Sequence, residues 1–179
     1  NMNINLDEIA RDFREMKLRN RTWNRYWEPF MKKYRCEYIC ELGVCKGANF
    51  YEMIRHGPKL AVAVDSWIDD GVISRNDGRY SQETLNAQYE AFKKNVANKP
   101  FVEIYREYTF NAAKNFEDDY FDLIYIDADH TYEGCLRDIQ DWYPKVKKGK
   151  FLVGDDYRVA SYKGVTFGVI EAVNKFARE

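Results

Sequence analysis

From residue 37 onward the sequence alternates short apolar runs with longer amphipathic segments. The short runs predict strands, and the amphipathic segments between them predict helices. The predicted strands span residues 37–41, 60–65, 101–106, 121–127 and 150–154, and the predicted helices span residues 47–56, 81–97, 109–117, 132–146 and 164–178. This alternation is typical of an α/β fold in which helices cover both faces of a mostly parallel sheet.

One strand of this sheet stands out by its composition. The run from Phe121 to Ile126 is apolar at every position except Asp122. An apolar run without alternation is typical of a strand that is buried on both faces. We therefore predict that this strand lies in the middle of the sheet.

The N-terminal part of the chain has a different, helical pattern. Apolar residues recur at helical spacing over residues 5–18, and an aromatic-rich helix is predicted over residues 22–33, with a kink or break at Pro29. We predict that residues 1–35 form a helical cap on a domain of residues 36–179, within one structural domain overall. The aromatic residues of the second helix have two interpretations, the floor of a substrate pocket or packing in the core.

Composition excludes several classes of protein. Of the 179 residues 45% are hydrophobic, which excludes intrinsic disorder, and a net charge of −1 provides no field for nucleic acid or an anionic membrane. No apolar stretch approaches the roughly 18 residues of a membrane-spanning helix, so we expect a soluble, cytoplasmic protein. The four cysteines lack the Cys-x-x-Cys spacing of a zinc site, and we predict that they are reduced thiols.

Every predicted strand ends at an acidic residue or has one directly after it. These acidic residues are Glu41, Asp65, Glu107, Asp127 with Asp129, and Asp155 with Asp156. A single acidic residue in such a position commonly begins a turn or caps a helix. Because the carboxyl ends of parallel strands meet at one edge of a sheet, where ligands bind, the repeated pattern predicts a site lined with carboxylates.

The chemistry of this edge favours a cationic ligand that carries hydroxyl groups. Carboxylates repel phosphates and attract cations. The turn from Glu41 to Gly47 has neither the Gly-x-Gly-x-x-Gly pattern of a pyrophosphate site nor the Gly-Lys-Ser/Thr pattern of a nucleoside triphosphate site. Gly43 and Gly47 allow the backbone to pass close to a ligand, and Asp65 is positioned to accept the hydroxyls of a ribose.

These motifs resemble those of a known family. Glu41-x-Gly43-x-x-x-Gly47, followed by the strand end Val64-Asp65, resembles the first two motifs of class I S-adenosylmethionine-dependent methyltransferases. The segment Phe121–Tyr157, with Ile126-Asp127-Ala128-Asp129-His130 and Gly154-Asp155-Asp156-Tyr157, is similar to small-molecule O-methyltransferases related to the macrocin- and cephalosporin-tailoring enzymes. The resemblance covers residues 38–177 and implies a Rossmann-like sheet. Relatives usually continue into two further antiparallel strands, which we expect to be absent here.

The resemblance also implies roles for individual residues. Gly43 and Gly47 would contact the methionine part of S-adenosylmethionine, Glu41 its ammonium or ribose, and Asp65 the ribose hydroxyls, while the turn from Glu107 to Thr109 would lie near the adenine. The expected cofactor-binding residues are Glu41, Gly43, Gly47, Asp65, Ser66, Glu107, Thr109 and Asp127. In metal-dependent members, residues matching Asp127, Asp155 and Asp156 hold a divalent ion, usually Mg²⁺, and an all-oxygen set of this kind suits that cation. Asp129 and His130 are the candidate catalytic bases, although a lone histidine after a strand, such as His130, is more often a hydrogen-bonded turn residue than a catalyst.

Three functions remain open from the sequence. The first is a metal-assisted methyltransferase that acts on a hydroxyl of a small molecule. The second is a methyltransferase of the same fold that needs no metal, and the third is a non-catalytic module that binds the cofactor or assembles with other proteins. Expected partners are a small hydroxylated acceptor and a second copy of the chain in a homodimer, because an exposed fifth strand favours association; nucleic acid and membrane are not expected.

Overall fold

Five parallel strands form the central sheet of the computed structural model, which describes residues 6–19, 26–69, 80–162 and 165–178. The strands are β1 (Tyr38–Leu42), β2 (Leu60–Val64), β3 (Val102–Tyr105), β4 (Phe121–Ile126) and β5 (Val146–Gly154). Their order in the sheet is β3-β2-β1-β4-β5, which confirms the predicted α/β, Rossmann-like class. Strand order reverses between β1 and β4, and in sheets of this kind ligands bind beyond the strand ends at such a point.

Helices cover both faces of this sheet. They are α1 (Leu6–Arg19), α2 (Trp27–Tyr34), α3 (Ala48–Met53), α4 (Gln82–Val96), α5 (Thr109–Ala112), α6 (Tyr132–Trp142) and α7 (Val169–Phe176). Successive strand residues point to opposite faces, so that Ile39 packs in a core with α2, α3 and α4, whereas Cys40 packs in a second core with α5, α6 and α7. Every residue of β4 is buried, as the apolar run predicts.

The helix α2 of the cap is built into the first core. Trp27, Phe30 and Met31 are almost completely buried, and the Trp27 ring meets the Tyr125 ring edge-on with 5.5 Å between ring centroids. This packing favours the core interpretation of the aromatic residues. The predicted kink at Pro29 is wrong: this proline lies in the first turn of α2, where backbone N–H groups have no partner within the helix. Residues 22–25 of the predicted helix lie outside the described residues.

Several helices are shorter than the sequence pattern predicts. The predicted helix over 132–146 ends at Trp142, because Pro144 follows, and a 3-10 turn continues to Lys145. The predicted helices over 47–56 and 109–117 likewise change into 3-10 turns, α3 after six residues at Met53 and α5 after four residues at Ala112. Apolar periodicity does not distinguish the two kinds of turn.

The lysine-rich segment before Phe151 belongs to the sheet rather than to a loop. β5 begins at Val146, and its pairing with β4 shifts register between Phe121 and Leu123. An outer strand tolerates lysines because one of its edges has no neighbouring strand. Within the described residues β5 is one of the two outer strands of the main sheet, with β3 at the opposite edge, and association through β5 stays a prediction.

A small hairpin was missed by the sequence analysis. β6 (Ser161–Tyr162) pairs antiparallel with β7 (Val165–Thr166) in a separate two-stranded sheet, so the helix predicted over residues 164–178 begins only at Val169. Strands of two residues carry no detectable periodicity. None of the helices described in this structure combines the length and apolar character needed to cross a membrane. The four cysteines are free thiols, as predicted.

The polar residue inside β4 has a structural role. Asp122 is buried, and one carboxylate oxygen accepts hydrogen bonds from the backbone N–H groups of Glu37 and Tyr38, both at 2.9 Å. The ammonium of Lys147 lies 3.1 Å from the other oxygen. Burial raises the pKa of this carboxyl, but the two backbone donors and the lysine outweigh burial and hold the pKa below its ordinary value. Asp122 therefore fastens the start of β1 to β4, at the end of the sheet opposite the strand ends that the acidic residues follow.

Candidate active site

A cavity of about 460 Å³ lies beyond the carboxyl ends of the central strands, a size typical of small-molecule sites. Its wall includes most of the residues predicted for the site, namely Glu41, Gly43, Asp65, Ser66, Thr109, Asp127, Asp129, His130 and Asp155. Gly47, Glu107 and Asp156 do not belong to this wall. The predicted convergence of acidic residues at one edge of the sheet is therefore observed for the ends of β1, β2, β4 and β5.

Glu41, at the end of β1, is the most deeply buried acidic residue of the wall. It is 1% exposed, its Oε1 accepts a hydrogen bond from Asn49 Nδ2 at 3.2 Å, and its Oε2 has no hydrogen-bond partner. Burial raises the pKa of Glu41 well above its ordinary value, and the neighbouring carboxylates of Asp127 and Asp65 act in the same direction. A buried oxygen without a partner is costly, and a cationic ligand in the cavity would offset that cost.

Asn49 holds Glu41 in place and was not identified from the sequence. It lies in the first turn of α3, and its Oδ1 accepts a hydrogen bond from the indole Nε1 of Trp27 at 2.8 Å. The side chain therefore links the cap helix to the end of β1. The sequence offers one signal for it, a polar residue two positions after the glycine turn.

Asp65 occupies the end of β2. Its Oδ2 accepts the backbone N–H of Cys45 at 2.7 Å, and its Oδ1 accepts the backbone N–H of Trp67 at 2.8 Å. Burial raises the pKa of Asp65 in spite of these hydrogen bonds, which act in the opposite direction. Each carboxylate oxygen has a second lone pair, so the side chain is fixed in orientation and still able to accept hydroxyl groups.

The two glycines of the turn have different roles. Gly43 has a φ of +85°, and a Cβ at this position would collide with the backbone carbonyl of Asp127, so the turn rests directly on the end of β4. Gly47 also has a positive φ, but the space that its Cβ would need is filled by the rings of Phe92 and Tyr51. Gly47 therefore lies beneath the cavity and allows close packing, whereas Gly43 lies in the cavity wall.

Two carboxylates and an imidazole meet at the ends of β4 and β5. His130 Nε2 lies 3.1 Å from Asp127 Oδ1 and 3.0 Å from Asp156 Oδ2, and the imidazole ring stacks on Phe167 with 4.7 Å between centroids. One potential ligand atom from each of the three residues lies within 4.8 Å of the others. The predicted metal set was Asp127, Asp155 and Asp156, and in the observed group His130 takes the place of Asp155.

Asp155 makes other contacts. Its Oδ2 accepts a hydrogen bond from the hydroxyl of Tyr125 at 3.0 Å, and its Oδ1 accepts the backbone N–H of Asp156 at 2.8 Å. The charge of Asp155 still affects the group of Asp127, His130 and Asp156, through the pKa of Asp127. Burial raises the pKa of Asp127, the charges of Asp155 and Asp156 raise it further, and the contact with His130 lowers it.

Asp129, a predicted catalytic base, forms a turn. Its Oδ1 accepts hydrogen bonds from the backbone N–H of Thr131 at 2.9 Å and from the Thr131 hydroxyl at 2.7 Å, and Thr131 in turn caps α6. The side chain also packs against Gly134, where a Cβ would collide with it. Glu107, expected near the cofactor, accepts a hydrogen bond from Asn115 at 3.1 Å outside the cavity wall.

Asp138 is an acidic residue of the wall that, like Asn49, was not identified from the sequence. It lies on α6, is 2% exposed, and accepts a hydrogen bond from the Thr109 hydroxyl at its Oδ1 at 2.5 Å, while its Oδ2 has no hydrogen-bond partner. Burial raises the pKa of Asp138 to about 7. A signal was available, because Asp138 falls within the stripe of Cys135, Ile139 and Trp142 that forms the buried face of the helix.

The strand order and the acidic cavity at the point where it reverses define an α/β protein of the class I methyltransferase type. Residues 40–157 match the family model described as a methyltransferase domain, and the chain belongs to this family. The predicted methyltransferase family is thereby confirmed. No curated protein sequence matches the chain.

Solved structures share this fold at low sequence identity. The O-methyltransferase from Bacillus cereus, in its complex with SAH, is 12% identical with a TM-score of 0.62, and the match covers 99% of this chain and 80% of that one. The O-methyltransferase NovP is 16% identical with a TM-score of 0.59, over 91% of this chain and 71% of that one. The chain spans less than half of spermidine synthase from Thermotoga maritima, 45% of that chain against 81% of this one, at 15% identity and a TM-score of 0.48.

Proposed function

We propose that the protein transfers a methyl group from S-adenosylmethionine to a hydroxyl group of a small molecule. The observation that carries this proposal is the Oε2 atom of Glu41, which is buried in the cavity wall without a hydrogen-bond partner. S-adenosylmethionine carries an ammonium and a sulfonium group. A cation beside Glu41 supplies the missing partner and stabilises the ionised carboxylate.

Asp65 supports the same ligand. Its two oxygens are oriented by backbone N–H groups and retain acceptor capacity, which suits the two hydroxyls of a ribose. Gly43 also belongs to the cavity wall, where the absence of a Cβ allows the turn after β1 to lie against the backbone of Asp127. The presence of SAH in the Bacillus cereus O-methyltransferase, which shares the fold, is consistent with this assignment.

Methyl transfer from a sulfonium is an in-line displacement, so the enzyme aligns the acceptor oxygen, the methyl carbon and the leaving sulfur. Such positioning contributes about 7 to 11 kcal/mol to the lowering of a barrier. The cavity wall runs from Glu41 to His130 and Asp155, so one cavity offers acidic contacts for the cofactor and polar groups for an acceptor.

The acceptor hydroxyl must also lose its proton. We assign this step to the group of Asp127, His130 and Asp156, and we propose that Asp127 and Asp156 hold a divalent cation, with His130 as a third donor. The residues fit such an ion, because two carboxylates and an imidazole are donors for divalent metals, although the imidazole favours Mn²⁺ or Fe²⁺ over Mg²⁺. When bound, a divalent cation lowers the pKa of a coordinated hydroxyl.

A second candidate mechanism for removing this proton needs no metal. His130 Nε2 lies within hydrogen-bond distance of both carboxylates, so the imidazole N–H alone already joins them. In this version the carboxylate of Asp127 accepts the proton from the acceptor, and His130 stabilises the resulting arrangement. The raised pKa of Asp127 makes it a stronger base than an exposed aspartate.

Methyl transfer from labelled S-adenosylmethionine to a panel of phenols, sugars and aliphatic alcohols tests the proposal. We expect turnover on at least one hydroxylated acceptor, and transfer to amines or thiols alone would contradict transfer to oxygen. Repeating the assay after chelation decides between the two versions. Loss of activity that Mn²⁺ or Mg²⁺ restores supports the metal, and an unchanged rate supports proton transfer to Asp127.

A further inference from the structure

We infer that Asp138 recognises the base of the cofactor. Its Oδ2 accepts a hydrogen bond from the exocyclic amine of adenine, and Asp138 thereby selects a 6-amino purine over a 6-oxo purine. This inference rests on the proposed use of S-adenosylmethionine. The inference goes beyond the proposed function because it assigns recognition of the base to a residue of α6. Neither the family match nor the sequence motifs point to that residue.

The first support is the hydrogen bonding of Asp138 itself. The residue is 2% exposed, yet it belongs to the cavity wall, and Oδ2 is buried with no partner. Thr109 donates its hydroxyl hydrogen to Oδ1 and so fixes the rotation of the carboxylate. An N–H or O–H group in the cavity beside Asp138 would complete the hydrogen bonding of Oδ2, and buried polar groups in folded proteins are generally hydrogen-bonded.

The second support is the shape of the neighbouring wall. Tyr108 and Phe110, which flank Thr109, have parallel rings with centroids 5.2 Å apart and an angle of 6° between their planes. The guanidinium of Arg137 lies over the Phe110 ring, 3.9 Å from its centroid. Flat aromatic and guanidinium groups beside a single acceptor provide a surface for a planar heterocycle that carries an N–H group at its edge.

The third support is the position of Asp138 relative to Asp65. Residues 108–110 follow β3, the strand that lies next to β2 in the sheet, and Asp65 follows β2. Both groups belong to the wall of the same cavity. A ribose held by Asp65 therefore has its base directed either toward Glu41 or toward residues 108–110, and Glu41 is the partner proposed for the ammonium. The remaining direction leads to Thr109 and Asp138.

An ionised aspartate accepts hydrogen bonds and donates none, whereas an asparagine in the same rotamer can turn its amide N–H toward the ligand. Asp138→Asn thus exchanges an acceptor for a donor at nearly constant volume. The ligand pair that reports on this change is S-adenosylhomocysteine, with a 6-amino group, and S-inosylhomocysteine, with a 6-oxo group. Calorimetric titration of each ligand into the full chain, at a pH above about 7 where Asp138 is ionised, measures the preference.

We expect the natural chain to bind S-adenosylhomocysteine about 10-fold or more tightly than S-inosylhomocysteine, as a hydrogen bond to a charged group predicts. In Asp138→Asn we expect this ratio to fall to about one or to reverse. The control Glu133→Gln, an exposed residue of the same helix outside the cavity wall, should keep the ratio of the natural chain. Thermal melting verifies that each variant is folded.

Equal affinity of the natural chain for the two ligands overturns the inference without any variant. The same ratio in Asp138→Asn and the natural chain overturns it as well, and then Oδ2 is satisfied by a buried water molecule rather than by the base. Failure of the natural chain to bind either ligand contradicts the proposed function itself, which distinguishes the two failures.

Discussion

The indole N–H of Trp27 donates a hydrogen bond to Oδ1 of Asn49 at 2.8 Å. The amide of Asn49 in turn donates to Oε1 of Glu41 at 3.2 Å. All three side chains are buried, so the orientation of the Glu41 carboxylate depends on a residue of the N-terminal cap helix. The cap is therefore a structural part of the candidate active site through a buried hydrogen bond, whereas the sequence had offered its aromatic residues as the floor of a substrate pocket or as core packing.

Trp27→Phe removes the indole donor and keeps an aromatic ring in the core. We expect the free energy of unfolding to fall by about 1 to 3 kcal/mol, because the buried Oδ1 of Asn49 loses its partner. We also expect weaker binding of S-adenosylhomocysteine, since Glu41 loses its fixed orientation. Tyr34→Phe is the matched control, because it removes a hydrogen bond to Asp12 from the same helix, away from the cavity. Equal ligand affinity in Trp27→Phe and in the control would contradict the role assigned to Asn49.

Asp156→Asn weakens the group that we propose for deprotonation of the acceptor. We expect the rate of methyl transfer to fall by about 10² or more, with little change in the binding of S-adenosylhomocysteine, because Asp156 lies outside the cavity wall. Assays across a series of divalent metal concentrations measure whether the variant also needs more metal. The control Asp118→Asn removes a carboxylate that pairs with Lys145 on the surface. Full activity of Asp156→Asn would remove this residue from the mechanism.

Asp138 makes the stability of the ligand-free protein depend on pH. Burial raises the pKa of Asp138 from its ordinary value of 3.8 to about 7, so the folded chain holds a proton that the unfolded chain releases between these values. The contribution to stability is complete below pH 3.8 and is lost as the pH rises through about 7. Above that pH we expect Asp138→Asn to be more stable than the natural chain, by an amount on the order of a few kcal/mol.

Denaturant unfolding at a series of pH values measures this difference. The matched control is Glu133→Gln, which changes an exposed carboxylate of the same helix outside the cavity wall, and for it we expect the same pH dependence as in the natural chain. Parallel curves for Asp138→Asn and the natural chain would show that Asp138 does not hold its proton in the folded state.

Asp122 has the opposite dependence. Burial raises the pKa of Asp122, but the backbone donors of Tyr38 and Glu37 together with Lys147 hold this pKa below its ordinary value. The contribution of Asp122 to the free energy of unfolding is therefore present above the pKa of the unfolded chain, and it is lost as the pH falls through the pKa of the folded chain. We expect Asp122→Asn to lower the free energy of unfolding at neutral pH by about 1 to 3 kcal/mol. Binding of S-adenosylhomocysteine should not change, because Asp122 lies at the far end of β4. A loss of affinity without a loss of stability would contradict this assignment.

The sequence predicted the sheet because the pattern of apolar runs depends only on the period of each element and not on distant contacts. The edge at which acidic residues converge followed from the same pattern, and Glu41, Asp65 and Asp127 were correctly expected at one cavity. The strand end at Asp155 was also placed correctly, but not the contacts of its side chain. Local backbone geometry turns Asp155 toward Tyr125 and brings His130 to Asp156, and no spacing in the sequence encodes that difference.

Residues on helices were harder to predict. Asn49 and Asp138 reach the site because of how α3 and α6 pack on the sheet, and the rotation of a helix about its axis depends on tertiary contacts. Gly47 is the opposite case, a residue that was expected to contact the cofactor but does not belong to the cavity wall. Its motif was associated with the cofactor, but the rings of Phe92 and Tyr51, which come from packing, occupy the space beside it.

Titration of S-adenosylhomocysteine into the natural chain, Glu41→Gln and Glu52→Gln tests most directly whether the buried Glu41 carboxylate binds the cationic end of the cofactor. Glu52 is the matched control, because it also has a buried oxygen without a partner but does not belong to the cavity wall. We expect saturable binding to the natural chain and to Glu52→Gln, and a dissociation constant raised about 10-fold or more in Glu41→Gln. Unchanged affinity in Glu41→Gln, or no binding by the natural chain, would contradict the account.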